Sequence, residues 1–378
     1  MTYDSVEALQ QALSRDVFHY AQDKKKAAGR ALGTLVEIIT FYLLKSWELE
    51  KNIAIERRLP EYANSEITHN VEFSLHPSEV LGTISVAKGD LPLTPKKILK
   101  HLKFPRGNDV DLKSTQLLSS KELLRNACTL YEEDERIIIA YLGQSTNTSY
   151  QLSVNSLNAH PFAFIECKRV GVEDGCKKGP QTIEKAKQGA YVARMVSSLQ
   201  KVRMKNGSVY GVLPLDTGEL KEGQYNDLLY SIIASDKVTL LRDFTLSVGI
   251  VSNHGNWFTS DNHNKELDIL AQSYDWLLFL SDAGLSEFVK NLLISPKKED
   301  KPIRDAFVQS YRGKKGNNQF TKVRIALSAD QALLNYFSSN LTKIESWFNV
   351  ISPNNQTVSG LKSELVSLAS KNWKDIFA

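Results

Sequence analysis

The stretch Pro161-Phe162-Ala163-Phe164-Ile165-Glu166-Cys167-Lys168-Arg169-Val170, continuing as GVEDGCKKGPQTIEKAKQGAYVAR to Arg194, decides how the rest of the chain is read. Residues 162–165 are all apolar and lead without a break into Glu166-Cys167-Lys168, the pattern of a buried strand that ends in charge. Strand alternation places Glu166 and Lys168 on one face and Cys167 on the other. A carboxylate and an ammonium at the end of an apolar strand are costly to bury unless they are paired or employed. A metal-dependent phosphodiesterase employs both. Glu166 would hold a hard divalent cation through oxygen. Lys168 would orient the attacking water and offset phosphate charge, and the Cys167 carbonyl adds a neutral ligand while its thiol packs in the core. A bare Glu-x-Lys ends many ordinary strands, so the weight falls on its surroundings.

Upstream, residues 136–142, 150–155 and 162–168 are strand-like. The turn-rich joints GQSTNTS and SLNAHP predict a meander. Downstream, a loop leads into a helix over 182–201 with a small and apolar face of Ile183, Ala186, Ala190, Ala193 and Val196. Toward the N-terminus, residues 3–22 have a helical rhythm. A stronger helix follows over 31–47, with Leu32, Val36, Ile39 and Leu43 in one stripe and Glu37 off it. Strands are expected over 52–57 and 68–76, a short basic helix over 95–101 opened by Pro95, and a further helix over 119–130. A strand over 209–213, a helix over 225–234 and a strand over 244–251 come next. Helices then dominate 265–295 and 325–378. The order predicts an α/β (α+β) fold with a mixed central sheet, its meander flanked by helices. The expected division is a core over 1–250, carrying an inserted basic segment at 88–110, and a mainly helical region over 251–378.

The bulk composition excludes several classes. Of 378 residues 42% are hydrophobic and 24% charged, an ordinary globular balance. Forty-seven lysines and arginines against 43 acids leave a net charge of +4, so any surface for a polyanion must be local. Cys128, Cys167 and Cys176 form no CxxC pair, which argues against a disulfide scaffold or structural zinc and fits a reducing cytoplasm. His254 and His263 have no partnering cysteine, and His69 and His76 form no HExxH pattern. No uncharged apolar run is long enough to suggest a membrane span. GxGxxG and GxxxxGK[ST] are absent, so no nucleotide cofactor is indicated.

The Glu166-x-Lys168 element, the strands before it and the helix after it, carrying Gln188 and Tyr191, resemble the PD-(D/E)xK nuclease superfamily, and within it the type II restriction endonucleases. The resemblance spans residues 28–210 and is strongest from Arg136 to Tyr191. AGRALGTLVEIITFYLL is similar to the superfamily's opening helix, which makes Glu37 an expected additional catalytic and metal-ligating acid. The resemblance implies Mg²⁺-dependent hydrolysis of double-stranded DNA at a specific sequence by a homodimer in a bacterial cytoplasm. It also implies an aspartate ten to twenty residues before Glu166. That stretch, Thr146 to Gln151, holds no acid, and Asn147 or Ser149 stands at the expected place. Three readings are open. The acid comes from elsewhere (Glu37 first, then Asp134, with Glu135 and Glu72 behind); it has been substituted; or the site is degenerate. A degenerate nuclease fold that binds DNA without cutting, and a repair or recombination nuclease, are the alternatives.

Expected DNA contacts are Lys96, Lys97, Lys100, Lys103 and Arg106 in the basic segment, and Arg312, Lys314, Lys315, Asn317 and Arg324 in the loop 312–324. Lys177, Lys178 and Gln188 follow the strand end. Cations pin phosphates, while arginine and the amides can read base edges.

Overall fold

The computed structural model describes residues 6–21, 23–58, 70–102, 110–133, 135–171, 191–193, 199–215, 217–254, 265–312 and 318–376. At its centre is a six-stranded sheet in the order β1-β2-β8-β12-β13-β15. These strands are β1 (Ile53–Arg57), β2 (Val71–Leu75), β8 (Ala163–Gly171), β12 (Leu246–His254), β13 (Trp276–Leu280) and β15 (Phe348–Ser352). β12 runs parallel to both β8 and β13, and the remaining pairings are antiparallel. The fold is therefore α/β with a mixed sheet, as the strand and helix order predicts.

One face of this sheet is covered by helix α2 (Lys24–Ser46). Leu32, Leu35, Val36, Ile39 and Leu43 are all buried, and Phe41 stacks on Phe73 of β2. Residues Ala27–Ser46 are long and apolar enough to cross a membrane, but most of that segment is buried here against protein. Helix α1 (Val6–Asp16) packs on α2 from outside. The opposite face of the sheet has its own apolar cluster of Phe164, Val251, Leu270 and Tyr274, joined by Val192 and Ala193. Residues 191–193 are helical, so the short described piece of the helix expected after Glu166 lies on the Glu166 face.

The expected meander divides between two sheets. β6 (Arg136–Ser145) and β7 (Ser149–Asn158) do form a hairpin, but they belong to a four-stranded sheet with β3 (Ser78–Ala87) and β5 (Cys128–Glu133), in the order β3-β7-β6-β5. The antiparallel partner of β8 is instead β2. Two chain segments cross together from one sheet to the other. One is His76-Pro77 between β2 and β3, and the other is residues 159–162 between β7 and β8. Backbone bonds Asn158 N to Pro77 O (2.9 Å) and Phe162 N to Leu75 O (2.8 Å) tie the crossings side by side. The buried His76 ring clamps them. Its Nδ1 lies 2.7 Å from the Asn158 carbonyl and its Nε2 2.7 Å from Ser74 Oγ. A carbonyl can only accept, so Nδ1 carries the proton and Nε2 accepts from the serine.

Other expectations change for identifiable reasons. Residues 119–130 are not a helix but β4 (Leu123–Arg125) and the start of β5, because Glu122 and Ala127 have φ of 53° and 42°, which no α-helix accommodates. Residues 200–203, at the end of the expected helix 182–201, are β9 (Gln200–Arg203), the edge of a small sheet with β10 (Val209–Pro214) and β11 (Leu220–Gln224). The run Trp276-Leu277-Leu278-Phe279-Leu280 is β13, covered on both sides of the sheet and flanked by β12 and β15. Its continuous apolarity has no period that separates strand from helix. A division at residue 250 falls inside β12, and the C-terminal region returns β13 and β15 to the central sheet. It also places β14 (Arg324–Ala326) beside β4.

His76 makes the clamp sensitive to acid. Burial pushes its pKa down to about 3. Between its ordinary value and 3 the unfolded imidazole binds a proton that the folded one does not, so stability falls as pH drops through that window. Each pH unit there removes at most about 1.4 kcal/mol. Urea unfolding of the native protein and of His76→Gln at pH 7.5 and pH 5 should show the variant less stable at pH 7.5. The native protein should then lose roughly 2 kcal/mol more than the variant on acidification. Parallel losses would exclude this role for His76.

Candidate functional site

Sheet register assembles an acidic row. The pairs Ile55↔Phe73 and Arg57↔Val71 bracket Glu56 opposite Glu72. The pair Phe73↔Ile165, continued one step, sets Glu72 beside Glu166, and Glu166 pairs with Gly249. Glu56, Glu72 and Glu166 thus cross three adjoining strands in line. Glu56 holds a φ of 52°, a left-handed conformation that a non-glycine residue adopts only at a cost of about 1–2 kcal/mol.

Two lysines answer the acids. Lys168, two residues along β8 from Glu166 and on the same face, places its Nζ 3.1 Å from Glu166 Oε2 and 3.6 Å from Glu72 Oε1. Lys322 places its Nζ 3.2 Å from Glu37 Oε2 and 3.2 Å from Glu56 Oε1, and it is also paired with Glu72 Oε2. Glu72 is therefore shared, one oxygen to each ammonium. Glu37 arrives from α2, and Lys322 from the segment just before β14. The Lys322 carbonyl accepts from buried Asn126 Nδ2 at 2.9 Å, and Asn126 N donates to Val323 O at 3.0 Å. The β14–β4 pairing thus fixes the backbone that delivers Lys322.

The site lies in an environment hostile to charge. Glu166 is 1% exposed, and its charged partner among the described residues is Lys168, 3.1 Å from Oε2. Burial raises the Glu166 pKa above the ordinary carboxylate value against the pull of Lys168, and the Glu37 charge adds to the rise. Burial likewise raises the Glu37 pKa, opposed mainly by Lys322. Cys167 points to the other face, where its thiol donates to Thr40 Oγ1 of α2 at 3.4 Å, and burial pushes that thiol up. The Cys167 side chain thus packs in the core, three residues along α2 from the Glu37 position. Among the described residues no group of three or more His, Cys, Asp and Glu side chains is disposed around a metal position, since the acids turn to ammonium groups instead.

The expected residues separate into those gathered here and those elsewhere. Glu37, Glu166 and Lys168 lie within the one network. Asn147 and Ser149 do not approach it. Ser149 pairs with Ala87 in the second sheet, and its hydroxyl lies 2.9 Å from Thr146 Oγ1 in the hairpin turn. The expected aspartate position therefore lies in the wrong sheet, because β7 is not the neighbour of β8. Asp134 lies outside the described residues; its neighbours Glu133 and Arg136 pair within the second sheet. Lys96, Lys97 and Lys100 are exposed on α3 (Pro95–Lys100), where Lys97 Nζ donates to Asp90 O at 2.7 Å. Arg312 is exposed and lies over the Tyr20 ring at 5.8 Å, and Arg324 is exposed on β14. Lys103, Arg106, Lys177, Lys178, Gln188, Lys314, Lys315 and Asn317 lie outside the described residues. Glu56 is absent from the sequence-based expectation, Lys322 stands there only within the basic loop 312–324 expected to touch DNA, where the structure buries it among the acids, and Glu72 only as a spare acid. The signal for Glu72 is an acid set between two apolar residues in Val71-Glu72-Phe73. Nothing local marks Lys322. Comparison of the chain with protein families, with curated proteins and with solved structures finds no match.

The row ends against a wall. A Cβ on Gly249 would stand 2.7–2.9 Å from three atoms of the buried Tyr274 ring. That ring in turn lies close enough to Glu166 for the carboxylate charge to hold the phenol pKa up, after burial itself. Gly249→Ala should lower stability by about 1–3 kcal/mol through overpacking, measured by urea unfolding. A neutral result would show that Tyr274 has room to move and does not confine Glu166.

Proposed function

We propose that this chain is a Mg²⁺-dependent DNA endonuclease of the restriction type. The observation that carries the proposal is the Glu72–Lys168–Glu166 arrangement on adjoining strands, with Glu37 brought in from α2. It supplies, from β2, the acid missing between residues 146 and 151. The set agrees with the resemblance to PD-(D/E)xK nucleases, with glutamate in place of the usual aspartate.

The donor set suits a hard divalent cation. Glu166 is buried and, among the described residues, shares the single Lys168 ammonium with Glu72, so the acid pair can take further positive charge. Glu72 and Glu166 would hold the ion, in line with the one or two carboxylates that Mg²⁺ commonly takes from protein. A bound Mg²⁺ supplies Lewis-acid charge against a phosphoryl oxygen. The residues of the chain do the rest. Lys168, part-exposed and anchored between Glu72 and Glu166, directs its ammonium at a phosphate oxygen and orients the water that attacks phosphorus. The water oxygen bonds to phosphorus as the P–O bond to the leaving sugar breaks; the water gives up a proton to solvent and the departing sugar oxygen takes one from it. Lys96, Lys97, Lys100, Arg312 and Arg324 serve as phosphate or base contacts, and a two-fold dimer matches a palindromic duplex.

A second reading, a DNA-binding protein that does not cut, is favoured by one observation: three of the acids are turned to Lys322. Plasmid DNA with Mg²⁺ separates the two. Discrete fragments are expected; DNA that is bound but intact favours the second reading. Lys168→Ala and Glu72→Gln should each slow cleavage by roughly 10²–10³-fold or more. Binding should change by only a few-fold for Lys168→Ala, since at most about one phosphate contact is lost. Cleavage by Lys168→Ala close to the native rate would remove the assignment.

A further inference from the structure

We propose that Lys322 is a built-in cation of this site, occupying Glu72 where a divalent metal ion binds and setting the affinity for that ion. The inference rests on the metal-dependent reading above. Lys322 is not an incidental surface lysine: its side chain is only 4% exposed and reaches three glutamates from three different elements. Its backbone is fixed by Asn126 and by the β14–β4 pairing, so the ammonium is delivered to this position by design of the fold.

Charge and geometry together give it this role. Among the described residues four carboxylates, Glu37, Glu56, Glu72 and Glu166, meet two ammonium groups, Lys168 and Lys322, and the formal difference of two positive charges matches one divalent ion. The acid with room for a further cation is Glu166, whose charged partner among the described residues is Lys168. The acid beside it, Glu72, is already committed, Oε1 toward Lys168 and Oε2 to Lys322. A divalent ion held by Glu72 and Glu166 would compete with an ammonium for Glu72. Lys322 is the one that gives way, swinging off the acidic row, because Lys168 is held by Glu166 of its own strand as well as by Glu72. A lysine suits this exchange, since its ammonium is a point charge on a flexible four-carbon stem and can withdraw while its backbone stays in place. Without metal, Lys322 keeps the acids from repelling one another. With metal, it competes.

The test uses the full chain stripped with EDTA, with Mn²⁺ as the probe and no DNA present. Titration followed by electron paramagnetic resonance should show Lys322→Met binding Mn²⁺ on the order of tenfold tighter than the native protein, as expected when a competing charge leaves a buried site. Lys322→Arg should bind no tighter than the native protein. A second measurement needs no variant and therefore survives a folding failure. Reductive methylation of the native protein, read by mass spectrometry, should leave Lys322 protected without metal and modified at saturating Mn²⁺. If Lys322→Met binds Mn²⁺ no tighter than the native protein, or Lys322 remains protected at saturation, the proposal is overturned. The plasmid assay is judged separately. A chain that cuts DNA while Mn²⁺ leaves Lys322 undisturbed keeps the nuclease reading and loses this one. Lys322 displaced by Mn²⁺ with DNA left intact does the reverse.

Discussion

The sharing of Glu72 between Lys168 and Lys322 is the interaction on which the candidate site depends. A carboxylate removed from water is tolerated only with opposite charge at contact distance. Glu72 joins two such arrangements, the Lys168–Glu166 pair on β8 and the Lys322–Glu37–Glu56 group that spans α2 and β1. The pairing of β2 with β8 sets Glu72 beside Lys168, and Lys322 reaches Glu72 from the segment before β14. The second sheet and β14 contribute by holding Asn126 and Lys322 in place.

Much of the scaffold was legible because its residues carry local signals. The stripe of α2, the apolar run 162–165, the short strand around Val71-Glu72-Phe73 and the Pro95 helix start each express a periodicity or a backbone preference of a few residues. Glu166 and Lys168 stood out for a similarly local reason, charge at the end of an apolar strand. What stayed hidden was pairing. Residues 150–155 and 162–168 look like successive strands of one meander, and nothing in SLNAHP reveals that the chain changes sheets there. That change of sheet takes Asn147 and Ser149, where the resemblance implies an aspartate, away from Glu166. Glu72, ninety-four positions before Glu166 in the chain, is its neighbour in space only through the register of β2 with β8. Lys322 is more remote still, and its ordinary setting, Thr321-Lys322-Val323, carries no mark of burial.

The helical misreadings have a related origin. Residues 119–130 have helical spacing of leucines, yet two left-handed residues, Glu122 and Ala127, break them into strands. Such conformations are imposed by the tertiary setting rather than by the residue type, since neither glutamate nor alanine favours positive φ. The same is true of Glu56 in the acidic row. There the irregular backbone coincides with an acid that meets Lys322, so the charge network and the local strain sit on one residue.

The distance in sequence between Lys322 and its partners also fixes when the site comes into being. During synthesis Glu37, Glu56, Glu72, Glu166 and Lys168 all leave the ribosome well before residue 322. The nascent chain can pair β2 with β8, but it cannot yet supply the ammonium that joins Glu37 and Glu56 to Glu72. The second cation at the sheet end arrives only with the segment before β14, and the sheet itself is completed later still by β15. The site is thus completed late in synthesis, and a chain interrupted before residue 322 carries the acids without their second cation.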